Sequence, residues 1–224
     1  MKTIAIIPAR GGSKRLPGKN LMLLEGIPLI GHSIRYAQAN PTIIDEIVVS
    51  TDCPNIKQVA IDFGAKVIDR PEYLSDDLST TVSALKHVLQ TYGYNGLENV
   101  VLLQPTNPLR PKKLLIDAFE IVTKGKHQSL FTVSPNVQKF GKIENNVFIP
   151  FNYEYGQRSQ DLAPLFYENG LLYISKANLV TNDILLDSDA FPFVTEHPFA
   201  KVDIDDLADF EFAQYLLKKH ADEC

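Results

Sequence analysis

Tryptophan is absent from the 224 residues, and methionine and cysteine occur only twice each. Cys53 falls at an expected strand end and Cys224 at the C-terminus, with no CxxC pair and no neighbouring histidine cluster. That scarcity argues against a disulfide framework or a zinc site and for two free thiols. Long apolar runs are also missing, and nothing approaches the roughly 18 residues of a membrane span. The first apolar run, from Ile4 to Pro8, is too short for a signal-peptide core and meets Arg10 and Lys14 in place of a small-residue cleavage site. A cytoplasmic chain with no membrane partner is the expectation. Charge of one sign is not in large excess: 22 Lys and Arg against 27 Asp and Glu give a formal net charge of −5. The strongest basic cluster is interleaved with glycine, which argues against a general nucleic-acid or anionic-membrane binder and leaves an anionic small molecule open as a partner.

What is present is ordinary for a folded core, with 45% apolar and 22% charged residues. The length suits a single large α/β domain, here taken as 1–224. Short β-rich runs at 3–8, 46–50, 66–68, 99–103 and 129–133 alternate with helical patterns at 28–39, 55–63, 80–92 and 111–124. Such alternation predicts a mostly parallel central sheet flanked by crossover helices. Gly64 and Gly93 stand where helix C-caps are expected, and Pro111 suits a first helical turn. From about 135 to 190 short strands, among them 146–150 and 170–175, are separated by polar loops, which predicts an inserted arm. A strand-like 199–204 and a helix over 206–220 close the chain, with Leu207, Phe210, Ala213, Leu216 and Leu217 on the helix's apolar face.

In an open parallel sheet, ligands sit beyond the carboxyl ends of the strands. The loop after the first strand reads Ala9-Arg10-Gly11-Gly12-Ser13-Lys14-Arg15-Leu16-Pro17-Gly18-Lys19-Asn20. Its three glycines permit close backbone approach and its four cations converge, so it can wrap a triphosphate. It is not a Walker A sequence, because Asn20 follows Lys19 where Ser or Thr is required, and it contains no GxGxxG. The alternative is a solvated basic loop, disfavoured by its place directly after the first strand. Asp203 and Asp205, two apart on the expected strand, would point the same way and ligate a hard cation; the alternative is that Asp205 or Asp206 caps the following helix.

The stretch from Ile7 to Asn20, followed by Val49-Ser50-Thr51-Asp52, Arg70-Pro71, Gln104-Pro105-Thr106-Asn107-Pro108-Leu109-Arg110, Asn169-Gly170 and Asp203-Ile204-Asp205, resembles the acylneuraminate cytidylyltransferases, the CMP-nonulosonate synthetases. The resemblance spans nearly the whole chain. It implies a Rossmann-like nucleotidyltransferase with a small dimerisation arm, in which the hydroxyl of a nine-carbon 2-keto-3-deoxy sugar acid attacks CTP, with Mg²⁺, to give CMP-sugar and pyrophosphate. It implies that Arg10, Gly11, Ser13, Lys14, Lys19 and Asn20 meet the phosphates or ribose, with Lys19 stabilising charge. Arg70, Ser79 and Thr81 fall to cytosine; Ser75 or Ser79 as helix N-cap and Arg70 as a surface ion-pair partner are the alternatives. Gln104, Lys139, Arg158, Asn169 and Tyr173 fall to the sugar, with Arg158 able to grip a carboxylate, and Asp203 and Asp205 to the metal. A homodimer completed by the arm is implied too. The chain departs from the sialic-acid pattern where Tyr167-Glu168 replaces Arg-Pro, which removes one cationic contact and leaves the sugar unnamed. His32, His87, His127, His197 and His220 show no metal spacing, and Tyr153, Tyr155, Phe166 and Phe191 read as pocket, core or subunit interface. Alternatives are a Kdo cytidylyltransferase, a DxD glycosyltransferase and a non-catalytic nucleotide-sugar sensor.

Overall fold

Seven strands form one sheet in the computed structural model, which describes residues 2–93 and 96–223. In chain order the elements are β1 (Lys2–Pro8), α1 (Leu29–Gln38), β2 (Glu46–Thr51), α2 (Pro54–Asp62), β3 (Lys66–Asp69), α3 (Thr81–Tyr92), β4 (Leu97–Leu102), α4 (Leu114–Lys124), β5 (Ser129–Asn136), β6 (Leu165–Lys176), α5 (Ala177–Thr181), β7 (Phe191–Val194) and α6 (Leu207–Lys219). Across the sheet they run β7-β5-β6-β4-β1-β2-β3. All are parallel except β6, which is antiparallel to both neighbours. The first four strands and their helices are the alternation read from the sequence.

Burial follows from the sheet having both faces covered. Ile4 and Ile6 point to one face, packed with Leu85, Val88 and Leu89 of α3. Ala5 and Ile7 point to the other, where Ile30 and Ile34 of α1 and Leu115 and Ala118 of α4 meet them. A third cluster joins Phe210, Ala213 and Leu216 of α6 to Leu24, Leu29 and Phe199. Helix α6 begins with a reciprocal capping box between Asp206 and Asp209, so Asp206 is its cap and Asp205 is left for other work. Leu207, expected on its buried face, is 56% exposed. None of the helices is long and apolar enough to cross a membrane among the described residues. Cys53 is a free thiol directly after β2, and Cys224 lies outside the described residues.

Three elements differ from the sequence expectation. Residues 199–204 form no strand: Pro198–Lys201 is a short 3-10 helix whose first turn is capped by His197, and the chain then runs extended through 202–204. Pro198 at the first helical position favours that turn. The expected strand at 170–175 is the second half of a 12-residue strand, β6, and belongs to the central sheet. Of the segment 135–190, therefore, only residues 137–164 stand off the sheet, carrying the hairpin Gly141–Glu144 and Val147–Pro150. Asn145 and Asn146 turn it with positive φ angles of 51° and 62°, which asparagine tolerates. The edge strand β7 escaped the sequence reading because it holds Pro192; a lost ladder donor is tolerable only at an edge.

Candidate active site

A cleft of about 540 Å³ opens where β1, β3 and β4 end. The loop 9–20 forms one wall. Its path is fixed from β2: Ala9 N donates to Ser50 O at 2.9 Å and Gly11 N to Asp52 Oδ1 at 2.8 Å. Gly11 is required there, since a Cβ at that position would sit 2.9 Å from Cys53 Cβ. Asn20 Nδ2 donates to Arg10 O at 3.0 Å and closes the loop on itself. Gly18, with φ 69°, starts the turn Lys19–Leu21 in a left-handed conformation, and Lys19 and Asn20 are buried by it.

Burial brings Lys19 to the floor. Its Nζ donates to Ile204 O at 2.5 Å and to Asp205 Oδ1 at 3.1 Å, while Arg15 Nη1 holds Asp205 Oδ2 at 2.7 Å. Asp205 thus meets two cations of the loop. Asp203 lies nearby on the same extended segment, which is pinned by Ile204 N donating to Thr106 O at 2.8 Å. Shielding of its carboxylate from water, and then the like charge of Asp205, hold the Asp203 pKa above the usual carboxylate range, against a hydrogen bond from Thr106. Asp203 and Asp205 are close enough for their like charges to interact although no strand forms there, and Asp205 but not Asp203 lines the cleft.

The remaining walls come from the 70–81 segment and the loop after β4. Arg70 is buried, its Nε donating to Ser50 Oγ at 3.0 Å and Nη2 to Ser50 O at 2.6 Å. It is not a surface ion-pair partner. Ser79 and Thr81 line the cleft with Ser13, Lys14 and Gln104. Neither Ser75 nor Ser79 caps α3; Thr80 does, accepting from Ser83 N. Ser79 Oγ is spent on Tyr73 O at 3.0 Å and Asp76 Oδ1 at 2.6 Å.

Four residues assigned to the sugar lie outside this cleft. Lys139 donates to Gln157 O and sits 5.1 Å from the Tyr153 ring centroid, and Arg158 pairs bidentately with Asp161 at 2.8 and 3.1 Å. Both are exposed on the 137–164 segment. Asn169 is buried in the β6 irregularity, bonded to Thr132 and Ser134. Its neighbour Gly170 has φ 77° and would bring a Cβ within 2.8 Å of Asn107 Oδ1. Tyr173 is 5% exposed and donates its hydroxyl to Glu168. Burial, then Glu168, then the more distant Asp203 raise the phenol's pKa.

A family model described as cytidylyltransferase matches residues 4–223. The chain belongs to the cytidylyltransferases. A pseudaminic acid cytidylyltransferase of Campylobacter jejuni is 36% identical, with 97% of each chain covered. A CMP-N,N'-diacetyllegionaminic acid synthase of Legionella pneumophila is 33% identical over the same shares. The fold is also that of a solved CMP:2-keto-3-deoxy-manno-octonic acid synthetase complexed with CTP, at TM-score 0.72 and 19% identity, covering 98% of this chain and 99% of that one. Membership makes this cytidylyltransferase a nucleotidyltransferase enzyme, and sets aside the glycosyltransferase and sensor alternatives.

Within this cytidylyltransferase the sequence reading gave no role to Asp52, Asp77, Asn107 or Arg110. Asp52 carried a signal, a carboxylate just past a strand end. Asn107 donates to Asn169 O at 3.2 Å and Val202 O at 2.7 Å, tying the loop after β4 to both β6 and the aspartate segment. Nothing in a single sequence marks such a bond between distant loops.

Proposed function

We propose that this cytidylyltransferase couples CTP to a nine-carbon 2-keto-3-deoxy sugar acid, releasing pyrophosphate and a CMP-sugar. The observation that carries the reading is the convergence of Arg10, Lys14, Arg15 and Lys19 on one cleft with Asp205 among them and Asp203 beside it. Phosphoryl transfer needs positioning and charge neutralisation more than covalent help from the protein, and that is what this cleft offers. The full-length relatives that act on pseudaminic and diacetyllegionaminic acids support the nonulosonate class.

Asp203 and Asp205 fit a hard divalent cation such as Mg²⁺ in the chemistry of their donors, since both offer oxygen alone, although among the described residues they belong to no cluster of three or more His, Cys, Asp or Glu. Two protein oxygens leave room for phosphate and water, which Mg²⁺ retains. Bound there, Mg²⁺ would polarise a phosphate oxygen and lower the pKa of a sugar hydroxyl. Lys19, fixed by Ile204 O, offers a positive charge without needing to reorganise. Arg10 and Lys14 bind the outer phosphates, Arg70, Ser79 and Thr81 bound the nucleoside side, and Gln104 offers an amide to the polyol.

A second copy of the chain completes the assembly. The hairpin 141–150 is exposed on nearly every residue, with Ile143 at 74%, Val147 at 60% and Phe148 at 40%. An isolated two-stranded hairpin is marginal in water, and this apolar surface matches a homodimer contact. Docked on a partner, the segment would carry Lys139 and Arg158 towards a cleft they do not reach in their own chain.

The test is pyrophosphate release from CTP with a panel of nonulosonates and the eight-carbon acid Kdo, with and without Mg²⁺, alongside Asp205→Asn. Metal-dependent release with a nonulosonate, lost in Asp205→Asn, is expected. Turnover with Kdo alone would refute the nine-carbon assignment, and full activity of Asp205→Asn would remove that carboxylate from the reaction.

A further inference from the structure

Residues 75–80 form a strap between the short helix Glu72–Leu74 and α3, facing the 9–20 loop across the cleft. The strap and the loop are joined by charge. Arg10 Nη1 donates to Ser75 O at 3.4 Å and to Asp76 O at 2.8 Å, and Arg10 Nη2 pairs with Asp77 Oδ1 at 3.0 Å. The second carboxylate oxygen, Asp77 Oδ2, pairs with Lys14 Nζ. One carboxylate therefore bridges two cations with one oxygen each, the arrangement a phosphate group would adopt.

Asp77 is not on a loose chain. Asp76 Oδ1 accepts from Leu78 N at 3.0 Å, from Ser79 N at 2.7 Å and from Ser79 Oγ at 2.6 Å, which shapes the turn that presents its neighbour. The Lys14 ammonium, with Arg10 next, holds the Asp77 carboxyl below its ordinary pKa, so it is ionised at neutral pH. Leu78 beside it is 90% exposed, so the strap's contacts to the 9–20 loop are those made by Arg10 and Lys14.

We propose that Asp77 is a built-in phosphate surrogate that selects for phosphate-bearing ligands: it occupies Arg10 and Lys14 in the free protein, must be displaced when nucleotide phosphates bind, and returns to expel pyrophosphate. The inference rests on reading the cleft as the triphosphate site. A ligand that brings phosphates to Arg10 and Lys14 replaces both contacts and frees the Asp77 side chain, while Ser79 stays held by Asp76 and Tyr73 O. A nucleoside without phosphates leaves the ion pairs in place. The same competition weakens retention of pyrophosphate after the reaction, since the carboxylate re-forms its pairs as the product leaves.

Calorimetric titration of the full chain with CTP, pyrophosphate and cytidine separates these possibilities. In Asp77→Asn, CTP and pyrophosphate should each bind about three- to tenfold more tightly, the range expected for releasing two exposed ion pairs. Cytidine affinity should be unaltered, and Asp77→Glu should restore wild-type values. Weaker or equal binding of CTP by Asp77→Asn would overturn the proposal and make Asp77 a permanent strut for Arg10. An equal gain for cytidine would overturn it too, because the effect would then not depend on phosphate. Wild-type protein that binds no CTP would fail the triphosphate reading as well, an outcome distinct from both.

Discussion

Arg110 is the largest side chain with no exposed surface, and replacing it by methionine should both destabilise the chain and loosen the sugar side of the cleft. Its guanidinium donates to Leu171 O at 2.7 Å, to Ser33 Oγ at 3.1 Å and to Gln104 O at 2.9 Å, and lies 5.6 Å from the Tyr36 ring centroid. Three elements meet on it: α1, the loop after β4, and β6. Leu171 falls where the register between β5 and β6 is broken, between Glu168 and Tyr173. Methionine restores apolar volume but no donor, so Leu171 O and Ser33 Oγ stay buried without this donor and Gln104 O loses it at the cleft wall. Hydrogen bonds from a charged donor contribute roughly 1.5–3 kcal/mol each, and such losses are not additive; about 3–5 kcal/mol overall is expected. With a urea dependence of about 2.5 kcal/mol per M, the unfolding midpoint should fall by roughly 1–2 M. The assay is equilibrium urea unfolding with and without CTP. A loss under about 1 kcal/mol would refute the reasoning, because it would mean that the three acceptors are satisfied without the guanidinium.

Lys19→Ala should lower kcat on the order of 10² to 10³ while leaving the sugar KM within about threefold, because a fixed charge near developing negative charge acts mainly in the transition state; steady-state kinetics with wild-type-like kcat would remove Lys19 from the chemistry. Asp203→Asn should raise the melting temperature at neutral pH although it removes a metal oxygen. The Asp203 pKa is raised in the folded chain, so its destabilising effect is absent below the ordinary value near 3.8, grows as pH rises through the elevated folded pKa and is complete above it. The difference between variant and wild type should therefore vanish in acid, and a pH-independent difference would sink the assignment. If the proposed homodimer forms through the hairpin, Ile143→Asp, at a position already 74% exposed, should leave the fold intact and lower the mass from dimer to monomer in sedimentation equilibrium; a wild type that is already monomeric would refute the dimer, and an unchanged dimer mass with a sound fold would refute the hairpin contact.

Legibility in the sequence followed the range of the forces involved. The 4–7 run and the helix facing it announced themselves through periodicity, since burial on both sheet faces imposes a local pattern: Leu29, Ile30, Ser33, Ile34 and Ala37 of α1, spaced at helical intervals, are all buried. The glycine- and cation-rich loop 9–20 was legible for the same local reason, since its glycines and cations sit within twelve residues directly after a strand. Strand β6 was harder, because its first half pairs only with β5 and its second half with β4 as well. Half of it thus read as part of the 135–190 segment. The segment 199–204 misled because Phe199, Val202 and Ile204 are buried in the α6 cluster, and burial from a helix and a loop produces the same apolar spacing as a strand.

The site obeys the same division. Arg10, Lys14 and Lys19 are close in sequence and readable as one cluster, whereas the carboxylates that meet them come from 67 and 186 positions away, since Arg10 to Asp77 and Lys19 to Asp205 are long-range pairs. Each cation of the loop that is paired in the free protein is held by an aspartate of another segment, Asp77 on the strap and Asp205 on the floor. On the proposed reading Asp205 stays to hold the metal while Asp77 stands where phosphate charge would go, so binding a triphosphate at Arg10 and Lys14 would be an exchange of anions and not the filling of a bare positive pocket. Affinity set by exchange is less sensitive to added salt than affinity for an uncompensated cation cluster, because salt weakens the pairs that must break as well as those that form. That lower sensitivity is the consequence by which an exchange site is told from an open one.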